Sequence, residues 1–387
     1  MKLLAVLHDS NKYGASRSFI ELISGLQDKH VVCYVIMPSD GPITKELDNL
    51  GVSYYFVPFK MWLSRGPVIW KRVVRSIYNL LISFWVAYIA WSVDADLLYT
   101  NTIMTPVGAI AAKMIGKPHI WQIREFAQEH YNLTFDLGLK VSHKLIAWLS
   151  YRVVLVSNAL RDKYIEHILS EKLIVVYNPV DLGGVLSQNE LMDNMLNRTN
   201  RDPLLIMVGF VHPAKGQLDA VLALAELIKR NYMVNLVIVG DGDVEYISSL
   251  KRVIREYGID KHVEFTGYVD NPRILLESSD IVLVCSRSEA FGRVTVEGMI
   301  SGKPIIGARS GATPELIIEG FNGLMYEPGN YVDLANKIKE LVDDPDKAIV
   351  MGNNGKRLAI EKYSRDNCVT KIFEIFEQAD YRFADRR

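Results

Sequence analysis

The chain has 387 residues, of which 49% are hydrophobic and 23% charged, and its 44 Lys+Arg nearly balance its 45 Asp+Glu. This composition is that of a globular protein of two or three domains, and it excludes disordered and fibrous classes. The formal net charge of −1 excludes a nucleic-acid binder that works by broad neutralisation of phosphates. Cys33, Cys285 and Cys368 lack the spacing of a disulfide framework or a zinc site, which favours a reducing compartment.

Short apolar runs alternate with helical stretches in the first half of the chain. The runs that predict strands are residues 3–7, 31–37, 53–57, 97–99, 119–123 and 153–156. Continuous apolar strands separated by helices are typical of a parallel sheet covered on both faces. The first run ends at His8-Asp9 without a cleavage site, so we interpret it as a buried strand and not as a signal peptide.

A polar stretch, residues 188–203, interrupts this series and predicts a linker. A second series of strands follows at residues 204–208, 234–239, 263–266, 281–284, 304–307 and 323–326. The sequence therefore predicts an α/β fold with two doubly wound parallel-sheet domains facing a central cleft, an N-terminal domain over 1–187 and a C-terminal domain over 204–364. A final helix at about 365–387 is expected to pack back on the first domain. Such sheets bind ligands at the carboxyl ends of their strands, so the residues that follow each strand are candidates.

Two glutamates, Glu289 and Glu297, follow the strand at 281–284. Their spacing corresponds to about two helical turns, so both can contact one ligand at different heights. Between them, Ala290-Phe291-Gly292 can present backbone N–H groups at a helix N-terminus, which suits a diphosphate. By itself this spacing more often marks two solvated surface glutamates, so the surrounding sequence must distinguish a ligand-binding pair from a surface pair.

The surrounding segment resembles the signature of retaining GT-B glycosyltransferases of family four, the glycosyl transferases group 1. The further matches are Val208-Gly209, Lys215-Gly216, Val239-Gly240-Asp241-Gly242, Phe265-Thr266-Gly267-Tyr268, Gly302-Lys303-Pro304 and Gly311-Ala312-Thr313-Pro314-Glu315. The resemblance is close over residues 204–330 and looser over the rest. It implies a GT-B fold and a nucleotide sugar as substrate, with no cofactor. Asp241-Gly242-Asp243 has no third ligand in sight, so we predict no metal site.

The resemblance also implies roles for single residues. Glu297 would accept hydrogen bonds from ribose hydroxyls, and Glu289 would contact hydroxyls of the donor sugar. Lys215 would neutralise the leaving diphosphate. The remaining donor-binding residues predicted for this domain are Gly209, Phe210, Gly267, Tyr268, Ala290, Phe291, Gly292, Arg293 and Gly311.

Phe210 departs from the family pattern, because many relatives carry an Arg at this position. Without that Arg, the site lacks one cation that would neutralise a leaving group with about two negative charges. His212, Arg293 or Arg309 would have to compensate, or backbone amides would hold the phosphates. Two alternatives therefore stay open, a weakly catalytic subunit that binds sugar nucleotides and a nucleotide-sugar 2-epimerase of the same fold.

Two strand ends in the first domain carry polar groups. The loop after the first strand contains Gly14, Ser16 and Arg17, and the family has a glycine loop here that closes over the donor diphosphate and the acceptor. A plain turn at Gly14 with Ser16 as helix N-cap explains this pattern equally well. Arg124 and Glu125 follow the strand at 119–123 and are predicted to be catalytic, whereas His119 lies at the wrong end of that strand for a functional role.

Residues 49–93 contain no acidic residue and hold four of the six tryptophans. Over 73–91, apolar residues recur at helical spacing with Arg72, Arg75, Asn79 and Ser83 opposite them, which predicts a core helix whose apolar face covers the sheet. Residues 59–72 combine cations with aromatic residues, a composition that suits an anionic membrane surface. The predicted membrane-facing residues are Lys60, Trp62, Arg65, Trp70, Lys71 and Arg72.

These patterns together predict a retaining, metal-independent hexosyltransferase in the cytoplasm, peripherally associated with the inner face of the membrane. It would move a sugar from a UDP- or GDP-linked donor to a lipid-linked or polysaccharide acceptor in cell-surface glycan biosynthesis. No nucleic-acid partner is expected.

Overall fold

The computed structural model describes residues 1–11, 14–66, 68–126, 133–180 and 202–384. The chain divides into two compact units, the first formed by Met1–Val180 with Arg365–Arg387 and the second by Asp181–Ser364. The predicted linker, 188–203, lies outside the described residues except at its last two positions. Each unit is an α/β sandwich around a parallel sheet, which confirms the predicted fold class.

The strands of the first unit follow the apolar runs of the sequence. They are β1 (Lys2–Val6), β2 (Val32–Met37), β3 (Ser53–Phe56), β4 (Leu63–Ser64), β5 (Leu97–Thr100), β6 (His119–Ile123), β7 (Thr134–Phe135), β8 (Arg152–Leu155) and β9 (Leu173–Val175). The main sheet has the order β3-β2-β1-β5-β6-β8-β9, and all its neighbouring strands are parallel. The chain adds strands on one side of β1 and then on the other, so the topological switch point lies between β1 and β5. The short strands β4 and β7 form a separate antiparallel pair.

Helices cover both faces of this sheet. They are α1 (Gly14–Asp28), α2 (Pro42–Asn49), α3 (Ile69–Ser92), α4 (Val107–Met114), α5 (Leu139–Leu149) and α6 (Asn158–Tyr164). Successive side chains of a strand point to opposite faces, so β1 contributes to two cores. Leu3 and Ala5 pack in the core that contains α1, whereas Leu4 and Val6 pack in the core that contains α3 and α4.

The second unit repeats the architecture with six strands. They are β10 (Leu204–Val208), β11 (Asn235–Val239), β12 (Val263–Gly267), β13 (Ile281–Val284), β14 (Ile305–Ala308) and β15 (Gly323–Tyr326). Their order is β12-β11-β10-β13-β14-β15, all parallel, so the switch point lies between β10 and β13. The helices are α7 (Gln217–Lys229), α8 (Val244–Glu256), α9 (Arg273–Ser278), α10 (Arg293–Ile300), α11 (Thr313–Leu316), α12 (Tyr331–Asp343) and α13 (Pro345–Tyr363).

The last helix, α14 (Arg365–Ala384), belongs to the first unit although the whole second unit precedes it in the chain. It packs against α1, where a Cβ on Gly25 would lie 2.6 Å from Cγ2 of Val369. Phe376 of α14 contacts Tyr99 of β5 edge to face, with 5.8 Å between ring centroids. Small size at Gly25 therefore lets the two helices approach closely.

The orientation of α3 is the reverse of the prediction. Its apolar side chains at Val73, Ile77 and Phe84 are exposed, whereas Asn79 and Ser83 are buried. The buried polar groups are satisfied: Asn79 exchanges two hydrogen bonds with the backbone of Lys60, and the Ser83 hydroxyl donates to the Asn79 carbonyl. The helix thus buries polar residues together with Val86, Ala87, Ile89 and Ala90, and turns most of its large apolar residues outward.

Trp62 is buried, so its prediction as a membrane-facing residue is wrong. Its indole N–H donates to the carbonyl of Ile103 at 2.6 Å. The ring stacks on Trp121, with 5.8 Å between centroids, and meets Phe135 edge to face. The segment after β3 folds inward at this point because a tryptophan with its N–H satisfied contributes a large apolar surface to the core.

Candidate functional site

The loops that follow β10 and β13 carry an ion pair at the switch point of the second unit. Lys215 ends a short 3₁₀ turn, Pro213–Lys215, and its ammonium lies 2.7 Å from the carboxylate of Glu289. Both side chains are partly exposed. Ligands of open α/β sheets bind at such a switch point, so this pair lies where charged groups can contact a ligand.

Backbone packing holds the two loops together. The N–H of Arg287 donates to the carbonyl of Ala214 at 2.8 Å. Gly216 has φ +72°, and a Cβ there would lie 2.1 Å from the carbonyl oxygen of Cys285. Only glycine fits both the left-handed backbone and the contact, so the glycine after Lys215 serves the approach of two loops of the protein.

Gly311 supports the same site from the loop after β14. Its φ is +52°, and a Cβ there would lie 2.4 Å from the carbonyl oxygen of Glu289. The next N–H, that of Ala312, donates to this oxygen at 2.7 Å, and the Ser310 hydroxyl donates to the Ser286 carbonyl. The close approach predicted at Gly311 is therefore made to the backbone of Glu289, which it holds in place.

Glu297 forms an ion pair within its own helix. Arg293 opens α10 and donates to the Glu297 carboxylate at 2.7 Å, and both side chains are mostly buried. Gly292 caps this helix with φ +89°. Ala290 and Phe291 are buried, and Phe291 contacts Tyr363 edge to face at 6.0 Å between centroids, so these two side chains fix the loop.

Phe210 is half-exposed after β10, and the three residues proposed to replace a cation there have partners of their own. Arg309 donates to Glu327 and Glu319. The His212 ring accepts from the N–H of Ala214, and Arg293 pairs with Glu297 as described. Lys215, by contrast, pairs with Glu289 at the strand ends.

The glycines at the ends of β10, β11 and β12 let neighbouring turns pack without side chains. A Cβ on Gly240 would lie 2.2 Å from the carbonyl oxygen of Gly209, and Gly267 accepts from the N–H of Gly240 at 2.8 Å. Tyr268 is exposed, with its N–H bonded to the Asp241 carboxylate at 3.0 Å. These contacts leave the Tyr268 ring on the surface of the strand-end loops.

The two aspartates of the Asp241-Gly242-Asp243 turn accept backbone hydrogen bonds. Asp241 bonds to the N–H of Tyr268, and Asp243 caps α8 by accepting from the N–H of Tyr246 at 2.9 Å. Within the described residues, no group of three or more His, Cys, Asp or Glu side chains is arranged to hold a metal ion.

Arg124, predicted to be catalytic, lies buried in a network of neutral groups in the first unit. Its guanidinium donates to side-chain oxygens of Asn101 at 2.8 Å and Gln122 at 3.1 Å, to Asn178, and to the Tyr99 hydroxyl. These bonds tie the ends of β5 and β6 to the segment after β9. The geometry gives Arg124 the features of a structural residue.

Glu125 is partly exposed next to Arg124. Its carboxylate accepts from the Thr102 hydroxyl at 3.1 Å, which connects the ends of β5 and β6. His119, by contrast, is buried at the start of β6 and bonded to the Thr100 hydroxyl at 2.8 Å. Burial lowers the pKa of His119 to about 3, so the ring is neutral, as expected of a structural histidine.

His8 and Asp9 follow β1 and were not among the predicted site residues. The His8 ring lies 3.2 Å from the Asp9 carboxylate. Burial lowers the pKa of His8, but the Asp9 hydrogen bond and the charges of Glu125 and Asp9 outweigh it, so the net shift is upward. The switch point between β1 and β5 is the signal that points to this pair, since β1 ends there.

The glycine loop predicted after β1 is only partly described, because residues 12 and 13 lie outside the described residues. Gly14 begins α1, and a Cβ there would meet no atom within 4 Å. Ser16 is buried and hydrogen-bonds to Asp9, and Arg17 is partly exposed. Ser16 thus joins the first turn of α1 to the end of β1.

The other predicted membrane-facing residues divide by exposure. Lys60, Arg65, Trp70 and Lys71 are exposed, and the Lys71 ammonium lies 5.6 Å from the centroid of the Trp70 ring. Arg72 is partly exposed and donates to the Thr134 hydroxyl at 2.8 Å, so its membrane-facing role stays a prediction. Arg72 lies on the side of α3 that also carries the buried polar residues.

Two doubly wound units, with charged residues at the strand ends of a switch point, define a ligand-binding α/β protein. The model for "Glycosyltransferase Family 4" matches residues 13–183, and that for "Glycosyl transferases group 1" matches residues 188–358. An uncharacterized glycosyltransferase of Methanocaldococcus jannaschii is 27% identical over 274 residues, which are 70% of this chain and 72% of that protein. The residue ranges that the two family models match follow each other along the chain and together extend over both units.

A second relative and a solved structure are also similar. The GDP-mannose-dependent alpha-(1-6)-phosphatidylinositol monomannoside mannosyltransferase of Mycobacterium tuberculosis is 27% identical over 192 residues, 47% of this chain and 49% of that protein. The crystal structure of HepE from Anabaena in complex with UDP-glucose has a TM-score of 0.80 at 24% identity, covering 98% of this chain and 100% of that one. The chain belongs to the GT-B glycosyltransferases of the family-four type.

Proposed function

We propose that this glycosyltransferase transfers a sugar from a UDP- or GDP-linked donor with retention of the anomeric configuration, without a metal ion. The observation that carries the proposal is the 2.7 Å pair of Lys215 and Glu289 at the switch point between β10 and β13. A cation beside a carboxylate suits a donor whose phosphate leaves with negative charge while its sugar offers hydroxyls.

Lys215 is proposed to neutralise the leaving diphosphate. The Lys–Glu pair opens when the donor binds, so that the ammonium faces phosphate oxygens and Glu289 accepts from sugar hydroxyls. The N-terminus of α10, capped by Gly292, adds backbone dipoles favourable to the same anion. In this route the diphosphate accepts the proton of the acceptor hydroxyl as the new bond forms on the same face, so no covalent intermediate on Glu289 is needed.

Glu297 is proposed to hold the ribose. One of its carboxylate oxygens accepts from Arg293, and a carboxylate has capacity for further hydrogen bonds, which the two hydroxyls of a ribose can donate. Arg293 then fixes the rotamer of Glu297 before the donor arrives. Such preorganisation lowers the ordering cost of binding.

The acceptor is proposed to be a lipid-linked glycan or a polysaccharide, at the cytoplasmic side of a membrane, in cell-surface glycan biosynthesis. Support comes from the relative named for phosphatidylinositol monomannoside. HepE, crystallised with UDP-glucose, supports the nucleotide-sugar donor. The cations and aromatic residues exposed near the start of α3, among them Lys71 and Trp70, are compatible with an anionic surface.

The test is a donor screen with the full chain, measuring release of the nucleotide diphosphate from UDP- and GDP-sugars with a membrane-lipid extract as acceptor. Lys215→Ala is expected to lower kcat by about 100- to 1000-fold, because it removes a charge at the leaving group. Lys339→Ala is the matched control, since this lysine also pairs with a carboxylate, Asp343, but on an exposed helix face. The anomeric configuration of the product, read by NMR, tests retention.

The screen also decides between the alternatives. If Lys215→Ala and Lys339→Ala release nucleotide at the parent rate, the assignment of Lys215 is wrong. Formation of an epimeric nucleotide sugar without acceptor would identify a 2-epimerase. Calorimetric binding of a donor with no turnover on any acceptor would identify a sugar-nucleotide-binding subunit, the reading that Phe210 in place of an arginine favours.

A further inference from the structure

The outward side of α3, which we call the α3 face, is a continuous apolar strip. Large apolar side chains are exposed at every third or fourth position along the whole helix, including Val73, Ile77, Leu81, Phe84, Tyr88 and Trp91. This is the 3.6-residue period of one helix side. An apolar strip of this length on a soluble surface marks an interaction site.

The α3 helix is held in the first unit by its other side. Val86 and Ala90 are buried in the core beside β1 and β5, and α4 packs along the helix. Arg75 pairs with the buried Asp136. Although α3 is long and apolar enough to cross a membrane by length and composition, a third of its most apolar window is buried in the protein. An orientation parallel to a membrane keeps these contacts, and a spanning orientation breaks them.

The charged residues of α3 itself have one sign. The helix itself carries no acidic residue, and neither does the chain from residue 49 to 93. Arg65 and Lys71 are exposed near its N-terminal end, where Lys71 lies over Trp70. Lys60 is exposed beside the middle of the helix, where its backbone bonds to Asn79. Cations and tryptophans at the edge of an apolar helix face match the headgroup layer of an anionic bilayer.

We propose that the α3 face docks on an anionic lipid bilayer, with α3 lying in the plane of the interface and its apolar side chains below the headgroups. The proposal rests on the membrane-located acceptor of the proposed function and names the surface that meets the membrane. A second copy of this chain is a poorer occupant, because a two-fold contact would place the cations of one face against an equally acid-free face.

Binding of the full chain to sucrose-loaded vesicles tests the proposal. The parent is expected to sediment with phosphatidylcholine vesicles that contain phosphatidylglycerol. Leu81→Glu/Phe84→Glu is expected to lower the bound fraction about tenfold or more, because it places two carboxylates among the acyl chains. The control is Ile349→Glu/Val350→Glu on α13, which adds the same charge at side chains of similar exposure, 59% and 58% against 62% and 60%.

The basic edge has its own variant. Arg65→Gln/Lys71→Gln is expected to lower binding to the anionic vesicles about tenfold and to leave binding to pure phosphatidylcholine unchanged, since each cation near an anionic surface contributes by charge. Added salt should lower the binding of the parent to the anionic vesicles by the same factor, because salt screens these charges. An equal loss on both kinds of vesicle would contradict the assignment of an anionic bilayer.

Three results would overturn the proposal. The first is parent-level vesicle binding by Leu81→Glu/Phe84→Glu with an unchanged thermal unfolding midpoint. The second is an equal loss in the α13 control. The third is a lipid-free dimer by light scattering that the α3 variant dissociates, which would make the face a subunit contact. Nucleotide release, measured without vesicles, separates the two proposals. If nucleotide is released but the vesicle-binding results differ from those expected, only the proposal for the α3 face is refuted. If the vesicle-binding results are as expected but no donor is turned over, only the proposed function is refuted.

Discussion

The strand ends of the two units hold the same kinds of residue in opposite environments. In the second unit, Lys215 pairs with Glu289 and both side chains remain partly exposed. In the first unit, the guanidinium of Arg124 is buried among the side-chain oxygens of Asn101, Asn178 and Gln122. One arrangement leaves charges accessible to a ligand, and the other uses a charge to join strands.

A charged residue after a parallel strand is therefore a candidate for function only until its burial is known. The arginine after β13, Arg287, has 55% of its side chain exposed, whereas Arg124 after β6 is 6% exposed. A buried charge must be hydrogen-bonded on all sides to be tolerated, and a guanidinium so occupied has little capacity left for a substrate. Stability and activity should accordingly respond to different residues in the two units.

The largest expected effect on stability is that of Arg124→Gln. The change removes the guanidinium donors of the buried Asn101, Gln122 and Asn178 oxygens, and the single proton of the Tyr99 hydroxyl can serve only one of the first two. Each unsatisfied group costs about 1–3 kcal/mol, so we expect the free energy of unfolding to fall by about 3 kcal/mol. Urea unfolding followed by circular dichroism measures it. Arg287→Gln is the matched control, with an expected loss below about 1 kcal/mol, because the Arg287 side chain is 55% exposed and its contact with the buried Asp219 is 3.5 Å long. Asp219 keeps the hydrogen bonds from the Tyr326 hydroxyl and the Gly329 N–H. Equal losses would show that burial does not distinguish these arginines.

A smaller effect is expected from Gly216→Ala in the second unit. The substitution forces φ +72° on a residue with a Cβ and places that Cβ 2.1 Å from the Cys285 carbonyl oxygen, so the free energy of unfolding should fall by about 2 kcal/mol. Gly14→Ala serves as the control in the first unit, since a Cβ there meets no atom within 4 Å. The thermal unfolding midpoint of each variant measures the effect, and a decrease of the same size in both variants would contradict the steric argument.

The smallest expected effect is the pH dependence contributed by His8. Its pKa is raised in the folded chain, so its contribution to stability is full below the ordinary value of 6.5 and is lost as the pH rises through the raised pKa. The parent should exceed His8→Asn in free energy of unfolding by more at pH 5.5 than at pH 9. A difference that is constant over this range, measured by urea unfolding, would rule out a charged His8 held by Asp9 and Glu125.

Much of the fold was predictable because its signal is local. Six of the seven strands in the first sheet and all six in the second coincide with apolar runs, since strands covered on both faces need apolar side chains in succession. The strand β9 was missed, because three residues at a sheet edge are too short for a pattern. Glycines near strand ends were also recognisable, although the neighbouring backbone that Gly216 and Gly311 accommodate was not.

The sequence by itself determined two parallel-sheet units and a strand-end motif of Lys215, Glu289 and Glu297, because apolar periodicity and motif spacing are properties of consecutive residues. Only the tertiary structure decided which side of α3 faces outward and that Trp62 and Arg124 are buried. Helical spacing predicts which residues share one side of a helix, but it does not predict which side faces the sheet. Asn79 faces inward because the backbone of Lys60 satisfies its amide, and no local pattern encodes that partner.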